Sequence, residues 1–571
     1  MAYISGVERN QTILFPESLE EYIDKENPVR IFDAFVDSLD METCGFSRFV
    51  PAKEGRPGYD PCDMVKLYIY GYFNRIRSSR CLQKETKRNI EVMWLVNKLS
   101  PDFRTISDFR KDNSKSLKKV FKEFNNLCVK LDLYSNEYIS IDGSKFKAVN
   151  SKGRNFTLSK LDDRLSRLDR QIEDFMLLLD KSDMEEGDER SFTKEEIEQR
   201  VKVLTDRKAV YSGYREEMEK DGASQLSLTD SEAKLMKMHE GFGVGYNVQT
   251  AVDSKHHLIA GFEVTDCPTD HGLLEGIAQG VKQDFGLETI EATADKGYRD
   301  GKDMVNCLMN GTIPNVFPNE GEIDIDLETN YVQTVITEEM RNSKKPEDIK
   351  TCLQSGVIPK IYEGIITGIE VAEQTYYESQ EEVPGTENKT MTEEEMIVKA
   401  KEGYFVRDLE KNRVYCPSGN ILRQKTERKD GSIRYYNKLA CANCPNKCTK
   451  SKFKEIDFPI DKTAIECLKI GKQSPKVQGN IEKKQCRIKK TRQIVRFKFK
   501  PDRKKLDKRK CLSEHPFGTI KRTLNGSYFL LKGKEKTSGE FALFCMVYNL
   551  KRAINIQGTR KIMEVLTKKV V

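Results

Sequence analysis

The sequence predicts an α/β protein that opens with an all-α region. Three observations predict it. Short β-branched runs near 138–142, 246–265 and 288–294 alternate with helical patterns, which is how a sheet covered by helices reads. Residues 1–135 carry apolar side chains at helical spacing, with no strand-like alternation. Between about 159 and 220 the spacing changes to heptads, so a long helical element interrupts the strands.

In the first region, residues 61–94 place Met64, Leu67, Tyr68, Gly71 and Tyr72 at helical spacing among Arg75, Arg77, Arg80, Lys84, Lys87 and Arg88. A second patterned run covers 105–131. A compact helical domain with one basic face follows, suited to phosphate contacts; the competing reading is an ordinary solvated helix surface. Residues 138–142 form a strand ending at Gly143. Leu161, Leu165, Leu168, Ile172, Phe175 and Leu179 then repeat in steps of four and three. Ile197, Val201, Leu204, Lys208 and Tyr211 do the same after the polar break KSDMEEGDERS, and Thr193 with Glu196 forms a capping box for this second helix. Two such helices joined by a polar turn read as an antiparallel hairpin, with dimerisation as its alternative use.

From residue 245 the strands resume. YNVQTAVD and HLIAGFEVT, separated by Ser254, Lys255 and His256, read as a β-hairpin. A helix near 271–284 follows, then a strand over 288–294 that runs into Asp295, then a helix near 299–309. Residues 320–400 are acidic and read as irregular. Residues 482–510 hold fifteen Lys or Arg against three acidic residues, with Ile494, Val495, Phe497 and Phe499 interleaved. The modest net charge of +7 therefore conceals a local basic run.

At 571 residues the chain exceeds what one hydrophobic core serves, so two to four domains are expected. No run of eighteen apolar residues occurs, and the opening MAYISGVERN lacks a basic stretch followed by an apolar one. A soluble, unsecreted protein is expected. Fifteen cysteines, an odd number in a large chain, read as reduced thiols rather than disulfides. Cys416, Cys441, Cys444 and Cys448 stand at C-x24-C-x2-C-x3-C, a spread in which four thiolates can close a tetrahedral zinc site. The alternative is a small β-rich lobe with free thiols.

Asp142 and Asp295 each close a strand-like run and are followed by Gly143 and by Lys296-Gly297. In open α/β sheets ligands bind at strand ends. A few carboxylates converging there can hold Mg²⁺ ions about 3.5–4 Å apart, which activates an oxygen nucleophile and stabilises a leaving oxygen in phosphoryl transfer. Each Asp taken alone also reads as a strand-ending turn residue.

IDGSKF around Asp142, TADKGY around Asp295 and EHPFGTIKR around Glu514 resemble the three acidic motifs of DDE transposases of bacterial insertion sequences, in the group with an InsH-type N-terminal domain. YDPCDMVKLYIYGYFNRIRSSR, PDFRTISDFRK, SLTDSEAKLMK and GYNVQTAVD add to the resemblance, which runs from about residue 8 to 553. It implies a ribonuclease H-like catalytic domain: a mixed five-stranded sheet flanked by helices, the first Asp on the first strand, the second after the fourth, and the Glu on a later helix. The chain then divides into a helical DNA-binding domain over 1–135 and a catalytic domain over 136–320 and 500–557, interrupted by a helical hairpin over 159–220. An insertion over 321–499 carries the cysteine cluster 416–448 and leads into the basic segment 482–510.

The resemblance implies Asp142, Asp295 and Glu514 as catalytic acids holding two Mg²⁺ or Mn²⁺ ions. Lys521, Lys510 and Arg509 would meet DNA phosphates, as would Arg75, Arg77 and Arg80 on the N-terminal basic face. The implied reaction nicks transposon ends and joins the freed 3′-hydroxyls to target double-stranded DNA, in the bacterial cytoplasm on the nucleoid, by a homodimer when bound to DNA. The family carries a Tyr-Arg-Glu-Lys pattern around its last acid; here Asp507 stands at the Tyr position and Lys510 at the Arg position. Pro516 and Gly518 predict a kink, or a helix that begins near Pro516. His515 reads first as a packing or capping residue. Two other readings stay open: a nuclease of the same fold without strand transfer, and a DNA-binding protein without catalysis.

Overall fold

In the computed structural model the described residues before 135 are helical, as their spacing predicts. The structure describes residues 18–46, 58–150, 152–184, 194–220, 222–223, 225–239, 241–379, 393–408, 411–427, 432–445, 448–449, 451–459, 467–469 and 487–567. Asp60 starts the helix Pro61–Phe73: its carboxylate accepts from the Cys62 N–H, and Pro61 occupies the first turn, where its missing N–H costs nothing. Asp102 caps Phe103–Asp112 through the Arg104 and Thr105 N–H groups. Gly71 is required by close packing, because a Cβ there would fall 2.6 Å from Leu82 and 2.7 Å from the Ile76 carbonyl.

Two units make up the chain: residues 1–370 with 495–571, and residues 371–494. In the first, the helical segment Lys534–Thr567, broken at Gly558 (φ 74°), runs through the core, with Phe541–Leu550 buried. It lies so close to the helix Ser114–Lys130 that a Cβ on Gly539 would sit 2.5 Å from the Ser114 Cα. A buried ion pair fastens it to the N-terminal helices, with Arg77 Nη2 2.8 Å from Glu540 Oε1 and side-chain exposures of 4% and 0%. Arg77 also donates to the Asn525 and Tyr528 carbonyls, and Glu540 Oε2 accepts from the Leu530 and Leu531 N–H groups. Arg77 therefore does not belong to the basic face. Its guanidinium is committed to the interior, whereas Arg75 and Arg80 are exposed.

Six strands form the sheet of this unit: β1 (Tyr138–Lys147), β2 (Lys234–Met238), β3 (Gly241–Asp253), β4 (Ile259–Thr265), β5 (Ile290–Ala294) and β6 (Thr312–Val316). β3 runs antiparallel to β1, and β4 antiparallel to β3. β2 pairs antiparallel with Gly241–Gly245 of β3. β5 runs parallel to β1, and β6 parallel to β5 with the helix Gly301–Met309 as the crossover between them. The mixed α/β character expected from the sequence is present.

Between β1 and β2 stand two 27-residue helices, Leu158–Met184 and Lys194–Lys220. They run antiparallel, joined by Asp162–Arg215 (3.2 Å), Arg164–Tyr211 (3.0 Å) and Asp169–Lys208 (2.6 Å). The heptad residues Leu161, Leu168 and Ile197 are buried. Thr193, of the expected capping box, lies outside the described residues.

The described residues of 320–400 are not irregular. The strand Ile325–Asn330, the helices Glu338–Asn342 and Pro346–Gln354, the strand Ile366–Ser379 and the helix Glu393–Lys401 are described there. Their few apolar anchors, Ile325, Leu327, Ile349, Leu353, Tyr362 and Ile366, are buried but too sparse to set a period among so many acids. The second unit holds a six-stranded sheet in the order Glu455–Pro459, Ser432–Tyr436, Ile421–Glu427, Arg413–Tyr415, Tyr404–Asp408, Cys467–Lys469. Its own small core includes Phe405, Val414, Leu422, Tyr435 and Phe458. Among the described residues no helix is long and apolar enough to cross a membrane.

Removing one partner of a buried ion pair leaves the other charged and unpaired, which costs about 3–5 kcal/mol. Glu540→Ala should therefore lower the urea midpoint of the first unit strongly, read by circular dichroism. A change within experimental error would show that Arg77 and Glu540 do not hold the two regions together.

Candidate active site

Asp142 does not close its strand. β1 continues to Lys147 because Gly143–Lys147 pair with Gln249–Gly245 of β3, which places Asp142 within the strand, opposite Thr250. Its side chain is 18% exposed. The Gly143 N–H donates to Oδ1 at 2.9 Å and the Ser513 hydroxyl to Oδ2 at 3.3 Å, with Arg509 Nη1 3.9 Å from Oδ2. Burial pushes the carboxyl up to about 6; Arg509 opposes the rise and the neighbouring charge of Asp295 adds to it.

Asp295 directly follows β5 and caps the short 3₁₀ turn Lys296–Tyr298, accepting from the Gly297 N–H at 2.8 Å. β5 lies parallel to β1 with Ser140 level with Thr293, so the two acids come two residues later on each chain. Register alone brings them together.

Glu514 sits on the helix Arg503–Gly518, which Asp502 caps through the Lys504 and Lys505 N–H groups. The helix runs through Glu514, which corrects the expected helix start near Pro516. Pro516 occupies the last turn, and the chain leaves α-geometry just after it, in the π turn Thr519–Thr523. At that position the lost N–H affects only the helix end. Ser513 and Arg509 face β1 from this helix, whereas Glu514 is exposed. Among the described residues no hydrogen bond or ion pair joins its carboxylate to Asp142 or Asp295, and no group of three or more His, Cys, Asp or Glu side chains is arranged to hold a metal ion.

Lys521, in the π turn, is half-buried over the Phe146 ring at 4.5 Å. Its ammonium donates to the Ser144 hydroxyl at 2.5 Å and the Lys145 carbonyl at 2.9 Å. Burial, then the charge of Lys145, lowers it to about 8. Lys510 is exposed on the helix. His515 Nδ1 lies 3.0 Å from the Tyr548 hydroxyl, the packing role expected of it.

Asp270 was not singled out in the sequence. Its carboxylate accepts from Lys145, Asn247 and Gln249, beside the backbone of Gly143. It stands in a loop beyond β4, where nothing in spacing distinguishes it from other acids. In the second unit, Cys416, Cys441, Cys444 and Cys448 are not in disulfides and border one cavity with Phe405 and Leu422. Burial pushes the Cys448 thiol up, Lys454 pulls it down, and Cys416 and Cys441 push it up again.

Two protein-family models match the chain: Transposase domain (DUF772) over residues 17–112, and Transposase DDE domain over residues 415–554. The chain belongs to the DDE transposases of the insertion-sequence type. The first match covers Arg75, Arg77 and Arg80; the second covers the four cysteines, Glu514 and Lys521, while Asp142 and Asp295 precede it. Both matches tie this transposase to DNA transposition in general. No curated protein and no solved structure matches it.

The raised pKa of Asp142 has a consequence for stability. Its protonated form favours the fold below about pH 4, and that contribution is lost as pH rises through about 6. A shift of this size is worth on the order of 2–3 kcal/mol. In metal-free buffer Asp142→Asn should melt above the wild type at pH 7.5, and the two should converge near pH 4. Equal melting at pH 7.5 would remove the burial and charge strain assigned to Asp142.

Proposed function

We propose that this transposase cleaves the ends of its element and transfers the freed 3′ ends into target DNA, using a ribonuclease H-like core. The observation that carries the reading is the Asp142–Asp295 pair. Two carboxylates from neighbouring parallel strands, one pushed up to about 6, form a site whose charge calls for a cation. The path β4–β3–β1–β5–β6, antiparallel and then parallel, supports the fold reading.

Asp142 and Asp295 fit a divalent ion, since Mg²⁺ takes one or two protein carboxylates and keeps its waters. Two such ions, Mg²⁺ or Mn²⁺, would be held by these acids with Glu514 joining from its helix. When bound, the metals supply an activated oxygen nucleophile and neutralise charge at the leaving oxygen. The Gly143 N–H and Ser513 hydroxyl orient Asp142, and Arg509 balances part of its charge.

Phosphates of double-stranded DNA would meet Arg75 and Arg80 on the N-terminal domain, and Lys510, Arg509 and Lys521 beside the acids. Exposed Arg496, Lys498 and Lys500 alternate with buried Val495, Phe497 and Phe499, so one edge of the basic segment 482–510 is cationic while the other packs. Residues 482–486 of that segment lie outside the described residues. The domain assignment follows: 1–135 binds DNA, 136–320 with 500–557 catalyses, 159–220 is a helical hairpin, and 321–499 is an insertion. A homodimer on two DNA ends, acting on the bacterial nucleoid in the cytoplasm, completes the reading. In the insertion, Cys416, Cys441, Cys444 and Cys448 would hold a structural zinc, supported by their spacing and by their position round one cavity.

On labelled DNA carrying the element ends, Asp142→Ala, Asp295→Ala and Glu514→Ala should each lower cleavage by more than about 100-fold with end binding intact. Normal cleavage by any one of them removes that residue from the site. A supplied 3′-hydroxyl end that yields no joined product would reduce the activity to hydrolysis. DNA affinity should fall roughly a thousandfold between 50 and 200 mM salt, as six or more phosphate contacts require. Purified protein should carry about one zinc per chain, and Cys441→Ser with Cys444→Ser should remove it; less than about half an equivalent in the wild type would end the zinc assignment.

A further inference from the structure

We infer that Asp270 is a positioning residue for the divalent ion of this site, an inference that rests on Asp142 and Asp295 being its ligands. Asp270 lies in the loop beyond β4, 24% exposed. Its Oδ1 accepts from Asn247 Nδ2 and Gln249 Nε2, both at 2.7 Å, and from Lys145 Nζ at 3.1 Å. Its Oδ2 has the longer Lys145 contact at 3.4 Å. The oxygen of Gln249 in turn accepts from the Tyr298 hydroxyl, at the end of the 3₁₀ turn that Asp295 caps. Asp270, Gln249 and Tyr298 thus fasten the turn bearing Asp295 to β3, the strand paired with that of Asp142.

Two glycines make room for this carboxylate. A Cβ on Gly143 would come 2.4 Å from Asp270 Oδ1 and 2.4 Å from Gln249 Nε2. A Cβ on Gly297 would stand 3.0 Å from Asp295 Oδ1 and 4.0 Å from Asp270 Oδ2. Asp270 therefore abuts the backbone beside each acid. Asn247 is fully buried and turns its N–H₂ to Asp270, leaving its own oxygen without a partner among the described residues. Orphaning a buried oxygen carries a desolvation cost, so the arrangement is organised around the Asp270 carboxylate.

The polar contacts alone do not require a charge. An Asn at 270 would keep Oδ1 and its short bonds. What the Asp adds is a third negative charge: the Tyr298 phenol is pushed up by burial and then by Asp270, Asp142 and Asp295 together. Lys145 offsets that charge from the face it shares with Gly143, Asn247 and Gln249, opposite the one to which Asp142 points. Groups that orient metal ligands from outside the metal's own shell change metal affinity by about 10–100-fold when mutated.

Mn²⁺ binding to the full-length chain, read by electron paramagnetic resonance of the free ion, tests the assignment independently of activity. Asp270→Asn should weaken Mn²⁺ binding about tenfold with an unchanged circular dichroism spectrum. Lys145→Met should tighten it, because it leaves the Asp270 charge uncompensated. A role confined to holding the fold would weaken both variants or neither. Wild-type affinity in Asp270→Asn, or weaker binding in Lys145→Met, overturns the inference, and the second arm decides should Asp270→Asn not fold. Asp142→Ala separates the two levels. Its normal Mn²⁺ binding would overturn the ligand reading itself, whereas its loss beside a normal Asp270→Asn would overturn only the role of Asp270.

Discussion

Parallel pairing between β1 and β5 is the constraint on which the candidate site depends. Tyr138, Ile139 and Ser140 lie level with Glu291, Ala292 and Thr293, and the two chains then deliver Asp142 and Asp295 side by side. A slip of one residue would turn Asp142 to the other face of the sheet. The register is held by the buried side chains of Ile139, Ile141, Ala292 and Ala294, packed in the core of the first unit. Burial raises the Asp142 carboxyl more than Arg509, the Gly143 N–H and Ser513 lower it, and the smaller repulsion from Asp295 adds to the rise. A cation beside the two acids would offset both.

Around this pair the cations divide by burial. Arg77 is spent on Glu540 and on two carbonyls, joining the N-terminal helices to the long C-terminal helix. Arg509 is drawn toward Asp142, and Lys521 rests on β1 with its ammonium lowered to about 8. Arg75, Arg80, Lys498, Lys500 and Lys510 remain exposed. Solvated cations of this second kind release counterions when they meet a phosphate backbone, while the buried ones serve the fold first. Arginine count along the sequence cannot make that division, since Arg75, Arg77 and Arg80 look alike there.

Helical spacing was legible because its period survives in the sequence: the N-terminal helices and the antiparallel pair Leu158–Met184 and Lys194–Lys220 follow it closely. The β3–β4 hairpin and the strand leading to Asp295 were legible from their β-branched runs. The continuation of β1 past Gly143 was not, because GSKFK lacks apolar alternation and is held as a strand by pairing with β3. The order within residues 320–400 was hidden for a related reason, few apolar anchors among many acids. Pro516 misled in the opposite direction, since a proline in the last turn of a helix need not break it.

The sequence by itself determined the class of elements, their order, the local basic run and the motifs carrying Asp142, Asp295 and Glu514. These are properties of neighbouring residues, written in period and composition. Only the tertiary structure decided which distant residues meet: Asp142 with Asp295, Arg77 with Glu540, and Asp270 with Lys145, Asn247 and Gln249. It also left Glu514 exposed on its helix, one residue from Ser513, which faces Asp142. Such contacts follow from strand register and helix rotation, which are set by packing across the whole core, and no local stretch of sequence encodes them.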